Sequence, residues 1–154
     1  MFRIQSESEL RSCFRDLDQE DIFLTNEMKF PLVAKDYLTW IEPSGVRAYL
    51  VIQDESFKSP FGLVFRRDQT LGPTVAAMCD WCHAVRSGNE IGVMTATSNS
   101  RKRVGISLCR DLSCAAKLRE EAPGVNDFLS SASVHERVRR VIQKMASFAR
   151  RELI

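Results

Sequence analysis

The stretch AAMCDWCHAV, residues 76–85, decides how this sequence is interpreted, because it places Cys79 and Cys82 two residues apart. Such a pair can be a redox dithiol, half of a metal site, or two unrelated core residues. A second pair, Cys109 and Cys114, follows with 26 residues between Cys82 and Cys109. The interpretation of the first pair therefore depends on what separates the two pairs.

The segment between the two pairs has the pattern of a β-hairpin. IGVMTAT and RVGISLC are β-rich runs joined by the turn-forming SNSRK, and the sequence after Cys109 becomes helical. A thioredoxin-like dithiol would instead open a helix directly after a strand in a βαβ unit. A knuckle, a hairpin and a helix whose start supplies the last two ligands is the order of a treble-clef zinc finger.

Four thiolates at these positions indicate Zn²⁺ as the cofactor, since soft sulfur ligands in a tetrahedron suit this ion. A shell of four protein ligands leaves no position for water, so the metal is predicted to be structural. The helix after Cys109 can direct its positive end toward the sulfurs. His83 is an alternative fourth ligand. The predicted ligands are Cys79, Cys82, Cys109 and Cys114.

Length and composition predict one soluble domain. The chain has 154 residues with 44% hydrophobic content, enough for one continuous core. No stretch approaches the roughly 20 apolar residues of a membrane span, and the N-terminus is polar and acidic. We therefore expect a cytoplasmic monomer without membrane contact, in a compartment where clustered cysteines favour metal or redox chemistry over disulfides.

The charge is unevenly distributed along the chain. Residues 1–78 carry 9 basic and 12 acidic residues, a net −3, whereas residues 79–154 carry 13 and 8, a net +5. A zinc ion with four thiolates would add about −2 to the second half. The remaining basic excess favours an acidic protein surface as partner more than tight nucleic-acid binding.

Hydrophobic periodicity predicts the other elements of an α+β fold with antiparallel hairpins and flanking helices. A capping box at Ser6 and Glu9 starts a helix over residues 6–17, in which Cys13 lies on the apolar stripe as a buried small hydrophobe. Residues 46–54 and 60–68 form a hairpin, and residues 27–45 are a covering loop plus a short element.

A second capping box, at Ser133 and Glu136, starts the last helix, and His135 in its first turn is expected to be solvated. An apolar stripe runs along this helix through Val134, Val138, Val141, Met145 and Phe148. The predicted divisions of the domain are an N-terminal helix and linker (1–34), a β-hairpin region (35–75), the zinc finger (76–122) and the C-terminal helix (132–152).

Four segments resemble one protein family: DYLTWIEPSGVRAYLVI (36–52), AMCDWCHA (77–84), RVGISLCRDLSCAAKLR (103–119) and SVHERVRRVIQKMASFARR (133–151). Over residues 35–150 the sequence is similar to the FusB-type elongation factor G (EF-G)-binding proteins, the FBP family. The most specific feature is the Cys-x-x-Cys pair combined with the VGISLCRDLSC segment.

The resemblance implies a treble-clef zinc domain with the four cysteines as ligands and EF-G, free or ribosome-bound, as partner. In the resistance members of the family, it implies release of EF-G from ribosomes stalled by fusidic acid. Those members carry an N-terminal helical bundle, for which this chain has room for only one or two helices. We therefore expect a shorter relative that binds EF-G.

The partner surface is predicted from composition. The zinc knuckle and the hairpin tip are expected to project together and to expose Trp81, Arg101, Lys102 and Arg103, since an aromatic residue with arginines is typical of an interaction hot spot. The alternative is a solvated turn with Trp81 packed beneath it. The basic face of the last helix, including Arg140 and Lys144, either assists binding or is merely solvated.

Two other functions remain open at this point. A zinc-containing RNA- or ribosome-binding module would use SRKR (100–103) and the last helix. An enzyme with a redox dithiol is the third. The sequence has no Ser/His/Asp set, paired-carboxylate signature, GxGxxG or P-loop motif, and this favours a protein that is not an enzyme.

Overall fold

The computed structural model describes residues 1–121 and 128–154. Nine strands, three α-helices and two irregular helical turns are formed by these residues. In chain order they are β1 (Phe2–Ile4), α1 (Glu7–Ser12), a 3-10 helix (Asp16–Asp21), β2 (Leu32–Ala34), β3 (Leu38–Ile41), β4 (Arg47–Ile52), β5 (Phe61–Arg67), β6 (Ala76–Met78), β7 (Val85–Ser87), β8 (Ile91–Thr97), β9 (Arg103–Cys109), α2 (Cys114–Glu121), α3 (Phe128–Phe148) and a π-helical turn (Ala149–Leu153).

The central feature is a five-stranded antiparallel sheet with the order β3-β4-β5-β8-β9, which confirms the α+β class. Both predicted hairpins are present: β4 pairs with β5, and β8 pairs with β9 in a register from Ile91 opposite Cys109 to Thr97 opposite Arg103. β1–β2 and β6–β7 form two small antiparallel ribbons. The cysteine-bearing segments therefore lie on or beside the sheet.

Side chains alternate between the two faces of the sheet, and each face is covered by a different core. On one face Leu50, Phe65 and Met94 pack with α2, α3 and the four clustered cysteines. On the other face Tyr49 and Val51 pack with the N-terminal elements. The second core covers the β3–β5 part of the sheet, whereas the first extends over β8 and β9.

The first helix starts as predicted but ends earlier. The Glu9 amide donates to Ser6 Oγ at 3.2 Å, and the Glu9 carboxylate accepts from the Gln5 amide at 2.7 Å. The helix ends at Ser12 because the carbonyl of Cys13 accepts from the Gly62 amide of β5 at 2.9 Å. A Cβ at Gly62 would lie 2.5 Å from the Phe14 ring, so this close approach requires glycine.

The interpretation of residues 27–45 as loop plus one short element was incomplete, since the segment contains both β2 and β3. β3 is an edge of the main sheet, where Leu38 lies opposite Val51 of β4. Its Trp40 ring stacks on Tyr49 at 4.8 Å between centroids. Packing of this aromatic pair favours a strand in a run with little sequence periodicity.

The last helix is longer than predicted at its start. α3 begins at Phe128, so Ser133 lies inside it and the expected capping box is wrong. The predicted apolar stripe is confirmed, since all five of its members are buried against the sheet. Across residues 1–121 and 128–154, none of the helices combines the length and apolar character that a membrane crossing needs.

Candidate metal centre

The first cysteine pair lies in a tight turn between β6 and β7. The His83 amide donates to the Cys79 carbonyl at 2.9 Å, and the Cys79 amide donates to the Ala84 carbonyl at 3.0 Å. His83 has a φ of 62°, in the left-handed region that non-glycine residues seldom adopt. These contacts close the knuckle and bring the Cys79 and Cys82 side chains together.

The second pair joins the end of the sheet to a helix. Cys114 is the first residue of α2, as predicted, but Cys109 is the last residue of β9, where it lies opposite Ile91. The expectation that both ligands lie at the helix start was therefore wrong for Cys109. The Leu112 amide donates to the Cys109 carbonyl at 3.0 Å, and Leu112 also has a left-handed φ of 58°.

The four thiol groups form one buried cluster. The Sγ atoms are 3.7 Å apart for Cys79 and Cys114, 3.6 Å for Cys82 and Cys109, and 3.7 Å for Cys109 and Cys114. All four lie within 4.8 Å of one another. Sulfurs held about 2.3 Å from a central zinc ion in a tetrahedron lie about 3.8 Å apart, whereas a disulfide requires about 2.0 Å. The spacing fits a four-thiolate zinc site.

The electrostatics of the cluster favour a cation. Hydrogen bonds from the Cys109 and Cys114 thiols lower the pKa of Cys79, and the hydrogen bonds with Cys109 and Cys79 raise the pKa of Cys114. The four thiols therefore do not ionise together on their own. A divalent ion offsets the mutual repulsion of the thiolates and allows all four to lose their protons.

A tyrosine distant in sequence supports the second cysteine turn. The Tyr37 hydroxyl donates to the Leu112 carbonyl at 2.6 Å and accepts from the Ala115 amide at 3.1 Å. Burial and the neighbouring Cys114 raise the pKa of Tyr37, so it stays a neutral donor. Sequence reasoning missed this residue; its only signal was a polar aromatic residue beside the run that forms β3.

Three further hydrogen bonds support the site. The Asp80 amide donates to the Ser107 carbonyl at 2.8 Å, and the Asp80 carboxylate accepts from the Ser107 amide at 3.3 Å, which fastens the knuckle to β9. On α2, Lys117 Nζ donates to Ser113 Oγ at 2.7 Å. Burial disfavours the charged amine, but Cys109 and Asp111 outweigh it and raise the pKa of Lys117.

Trp81 is buried, and the expectation that it is exposed on the knuckle was wrong. Only 3% of its surface is accessible, and its ring meets Phe65 at 5.8 Å and Phe148 at 6.1 Å between centroids, both edge to face. The alternative of a tryptophan packed beneath the turn is confirmed. The large apolar ring gains more from the core than from solvent.

The predicted basic residues fall into two groups. Arg101, Lys102 and Arg103 are exposed at the hairpin tip. Arg103 and Cys109 are at opposite ends of β9, about 20 Å apart at the rise of an extended strand. The knuckle and the tip therefore do not form the single compact patch that the sequence suggested.

The second group lies beside the zinc knuckle on α3. Lys144 Nζ donates to the Trp81 carbonyl at 3.2 Å and lies 3.2 Å from Nε2 of His83. The Arg140 side chain is 68% exposed and lies 3.6 Å from the Glu136 carboxylate. A cleft of about 200 Å³ separates knuckle from helix, with His83, Arg137, Arg140 and Lys144 around Leu118 and Val141. His83 is not a member of the cysteine cluster.

A knuckle, a hairpin and a helix that together present four thiolates define a treble-clef zinc finger, and the site binds Zn²⁺. The model of the family described as FBP C-terminal treble-clef zinc-finger matches residues 9–151. The chain belongs to this family.

Structural comparison finds similarity to the fusidic acid resistance protein FusC, with 17% sequence identity and a TM-score of 0.47. The match covers 77% of the present chain and 56% of the FusC chain. The chain thus spans little more than half of that protein. Comparison with curated proteins finds no significant match.

Proposed function

We propose that this protein is an adaptor that binds elongation factor G. The observation that carries the proposal is family membership over residues 9–151, a range that includes all four zinc ligands. The partner is taken from the four segments that resemble the FusB-type proteins, since those proteins bind EF-G. We extend the proposal to release of EF-G from the ribosome, which is the action that the resemblance implies for resistance members.

The zinc centre supports a binding role in which the metal holds structure. Cys79, Cys82, Cys109 and Cys114 fill the coordination shell, so the ion has no position for substrate or activated water. Its contribution is to fasten the knuckle, the end of β9 and the start of α2 to one another. The surface around this rigid unit is then preorganised for a partner.

The surface best suited to an acidic partner is the cleft between the knuckle and α3. Arg137 and Arg140 are exposed on its rim, and Lys144 is held in place by the Trp81 carbonyl. An apolar floor of Leu118 and Val141 lies below these cations. Cations around an apolar centre fit an acidic protein surface that also presents an apolar side chain.

The test is titration of purified EF-G with the wild type and two variants at matched ionic strength. Arg140→Glu reverses a cleft charge, whereas Arg151→Glu changes an arginine of similar exposure, 63% against 68%, that also pairs with a neighbouring glutamate. We expect about tenfold weaker binding for Arg140→Glu, mainly through slower association, and little change for Arg151→Glu.

The salt dependence of binding distinguishes this proposal from the alternative of an RNA- or ribosome-binding module. A mixed protein interface weakens moderately with salt, whereas contact with many phosphates loses affinity steeply between about 50 and 200 mM salt. Wild-type protein that fails to bind EF-G but binds ribosomal RNA with a steep salt dependence would replace the adaptor proposal with the RNA-binding module. Release is tested by sedimenting fusidic-acid-stalled ribosomes with and without the protein and measuring the EF-G that remains bound.

A further inference from the structure

β9 is an edge strand of the five-stranded sheet, with β8 on one side only. An edge strand presents a row of backbone N–H and C=O groups that can pair with another chain. The contacts at the two ends of β9 show which of its backbone groups point away from β8.

At the end of β9 that carries Cys109, the contacts of Ser107 show which side of the strand faces away from β8. Its amide and its carbonyl both contact Asp80, on the side away from β8. The N–H and C=O of a strand residue point to the same side, and alternate residues share that side. The backbone groups of Gly105 and Arg103 therefore also point away from β8.

The tip of the hairpin gives the same result independently. The Ser98 amide donates to the Lys102 carbonyl at 2.8 Å, so this pair is hydrogen-bonded across the turn. Hydrogen-bonded and non-hydrogen-bonded pairs alternate along an antiparallel ladder. The pair Thr97–Arg103 and the pair Thr95–Gly105 are therefore both non-hydrogen-bonded. Within residues 1–121 and 128–154, no contact satisfies the outward N–H and C=O groups of Arg103 and Gly105.

The side chains around this open edge differ between the two faces. Arg103 and Gly105 are exposed on one face, next to Arg101 and Lys102 at the tip. On the other face Val104 and Ile106 are half-buried at the margin of the zinc-side core. Any strand added here would place alternate side chains beside arginine and beside aliphatic groups.

We propose that residues 103–105 of β9 bind an extended segment of the partner by strand addition, and that this segment alternates acidic and apolar side chains. The inference rests on the proposed function, in which the partner is EF-G. Four backbone groups of Arg103 and Gly105 give the affinity, and the side-chain pattern gives the specificity. Asp80 limits the open edge by occupying Ser107.

The occupant is a partner segment and not a second copy of this chain. Antiparallel pairing of two β9 edges through Arg103 and Gly105 would place the Arg103 side chains of both copies at neighbouring diagonal positions on one face, and like charges on an edge oppose such pairing. An acidic segment meets the same charges with the opposite sign. Charge thus selects the partner, and Gly105 leaves space for its backbone.

The test compares Gly105→Pro with Gly105→Ala. Both place a Cβ at the same position, 3.3 Å from Val93 Cγ1, but only proline removes the outward N–H. Proline is tolerated in an edge strand where its nitrogen faces solvent. Provided that zinc content and circular dichroism match the wild type, we expect Gly105→Pro to bind EF-G at least tenfold more weakly than Gly105→Ala.

Equal binding of EF-G by the two folded variants would overturn strand addition while leaving EF-G binding intact. If Gly105→Pro does not fold, hydrogen exchange of the wild-type Arg103 and Gly105 amides decides the matter. Strand addition predicts that both amides exchange more slowly in the EF-G complex, and unchanged exchange would overturn it.

Failure of the wild type to bind EF-G would instead contradict the proposed function. The edge is then tested with a peptide of four alternating Glu-Val pairs and a matched Lys-Val peptide. Slower exchange of the Arg103 and Gly105 amides with the acidic peptide alone supports the inference. No effect of the acidic peptide, or protection of these amides by self-association, would overturn it.

Discussion

The hydroxyl of Tyr37 donates a 2.6 Å hydrogen bond to the carbonyl oxygen of Leu112, the residue with left-handed φ between the second pair of zinc ligands. The same hydroxyl accepts from the Ala115 amide in the first turn of α2. One partly buried side chain from the N-terminal half of the chain thus fixes both the turn that follows Cys109 and the helix that begins at Cys114.

Tyr37→Phe should therefore weaken both the fold and the zinc site. It leaves the Leu112 carbonyl and the Ala115 amide without their partner in a buried position, which costs about 1–3 kcal/mol. We expect a lower free energy of unfolding and faster loss of zinc to a chromophoric chelator. Denaturant titration and chelator competition measure the two effects.

Tyr49→Phe is the matched control for this prediction. Tyr49 is buried, and like Tyr37 its hydroxyl is hydrogen-bonded, here to the Asp21 carbonyl and to Glu42, but it belongs to the core on the opposite face of the sheet. Its removal should lower stability while leaving the rate of zinc loss from the folded protein unchanged. Equal acceleration of zinc loss in both variants would mean that Tyr37 acts only through global stability.

Cys79→Ser and Cys13→Ala should have contrasting effects. Cys79→Ser removes one of four thiolates, and since structural zinc contributes on the order of 10 kcal/mol in zinc-finger peptides, we expect several kcal/mol of lost stability and reduced metal content. Cys13 lies outside the cluster, so Cys13→Ala should keep its zinc and lose about 1 kcal/mol. Loss of zinc from Cys13→Ala would show that the ligand set is wrong.

Trp81→Ala should act as a core mutation. The Trp81 ring fills the space between Phe65 and Phe148, so its truncation should cost about 3–5 kcal/mol. The measurement is urea unfolding followed by far-ultraviolet circular dichroism. A variant with wild-type stability and weaker EF-G binding would instead show that Trp81 is exposed and contacts the partner.

Stability should fall as the solution becomes alkaline. Burial, with the nearby Glu9 carboxylate, raises the pKa of Cys13 from its ordinary value of 9.0 to about 11. Between these values the unfolded chain binds fewer protons than the folded one, so the free energy of unfolding decreases as pH rises from 9 to 11.

Cys13→Ala checks this sign, because the variant should show a shallower decrease over the same pH window. Burial also raises the pKa of Tyr49 to about 12, so some decrease should remain in the variant. Urea titrations at a series of pH values compare the two slopes. Identical slopes would contradict the assignment of the decrease to Cys13.

Much of the fold and the metal site could be predicted because the deciding signals are local. The pairs Cys79–Cys82 and Cys109–Cys114 are close in sequence, and the strands on either side of residues 98–102 are delimited by turn-forming residues. The distance between the hairpin tip and Cys109 was also within reach, because it follows from seven residues of strand.

The features that could not be predicted depend on contacts between distant residues. Trp81 turns inward because Phe65 and Phe148 complete an aromatic cluster around it, and no pattern near residue 81 indicates this. β3 owes its place to pairing with β4, and Tyr37 meets its partners 75 and 78 residues away. Tertiary packing decides such positions.

The four-cysteine zinc site is tested by X-ray absorption at the zinc edge, on protein purified without chelator and analysed for metal content. A four-cysteine centre gives one zinc ion per chain with four sulfur neighbours at about 2.3 Å. A nitrogen neighbour at about 2.0 Å in place of one sulfur would assign a ligand role to His83 and contradict the four-cysteine centre. Metal content well below one equivalent would contradict the zinc finger itself.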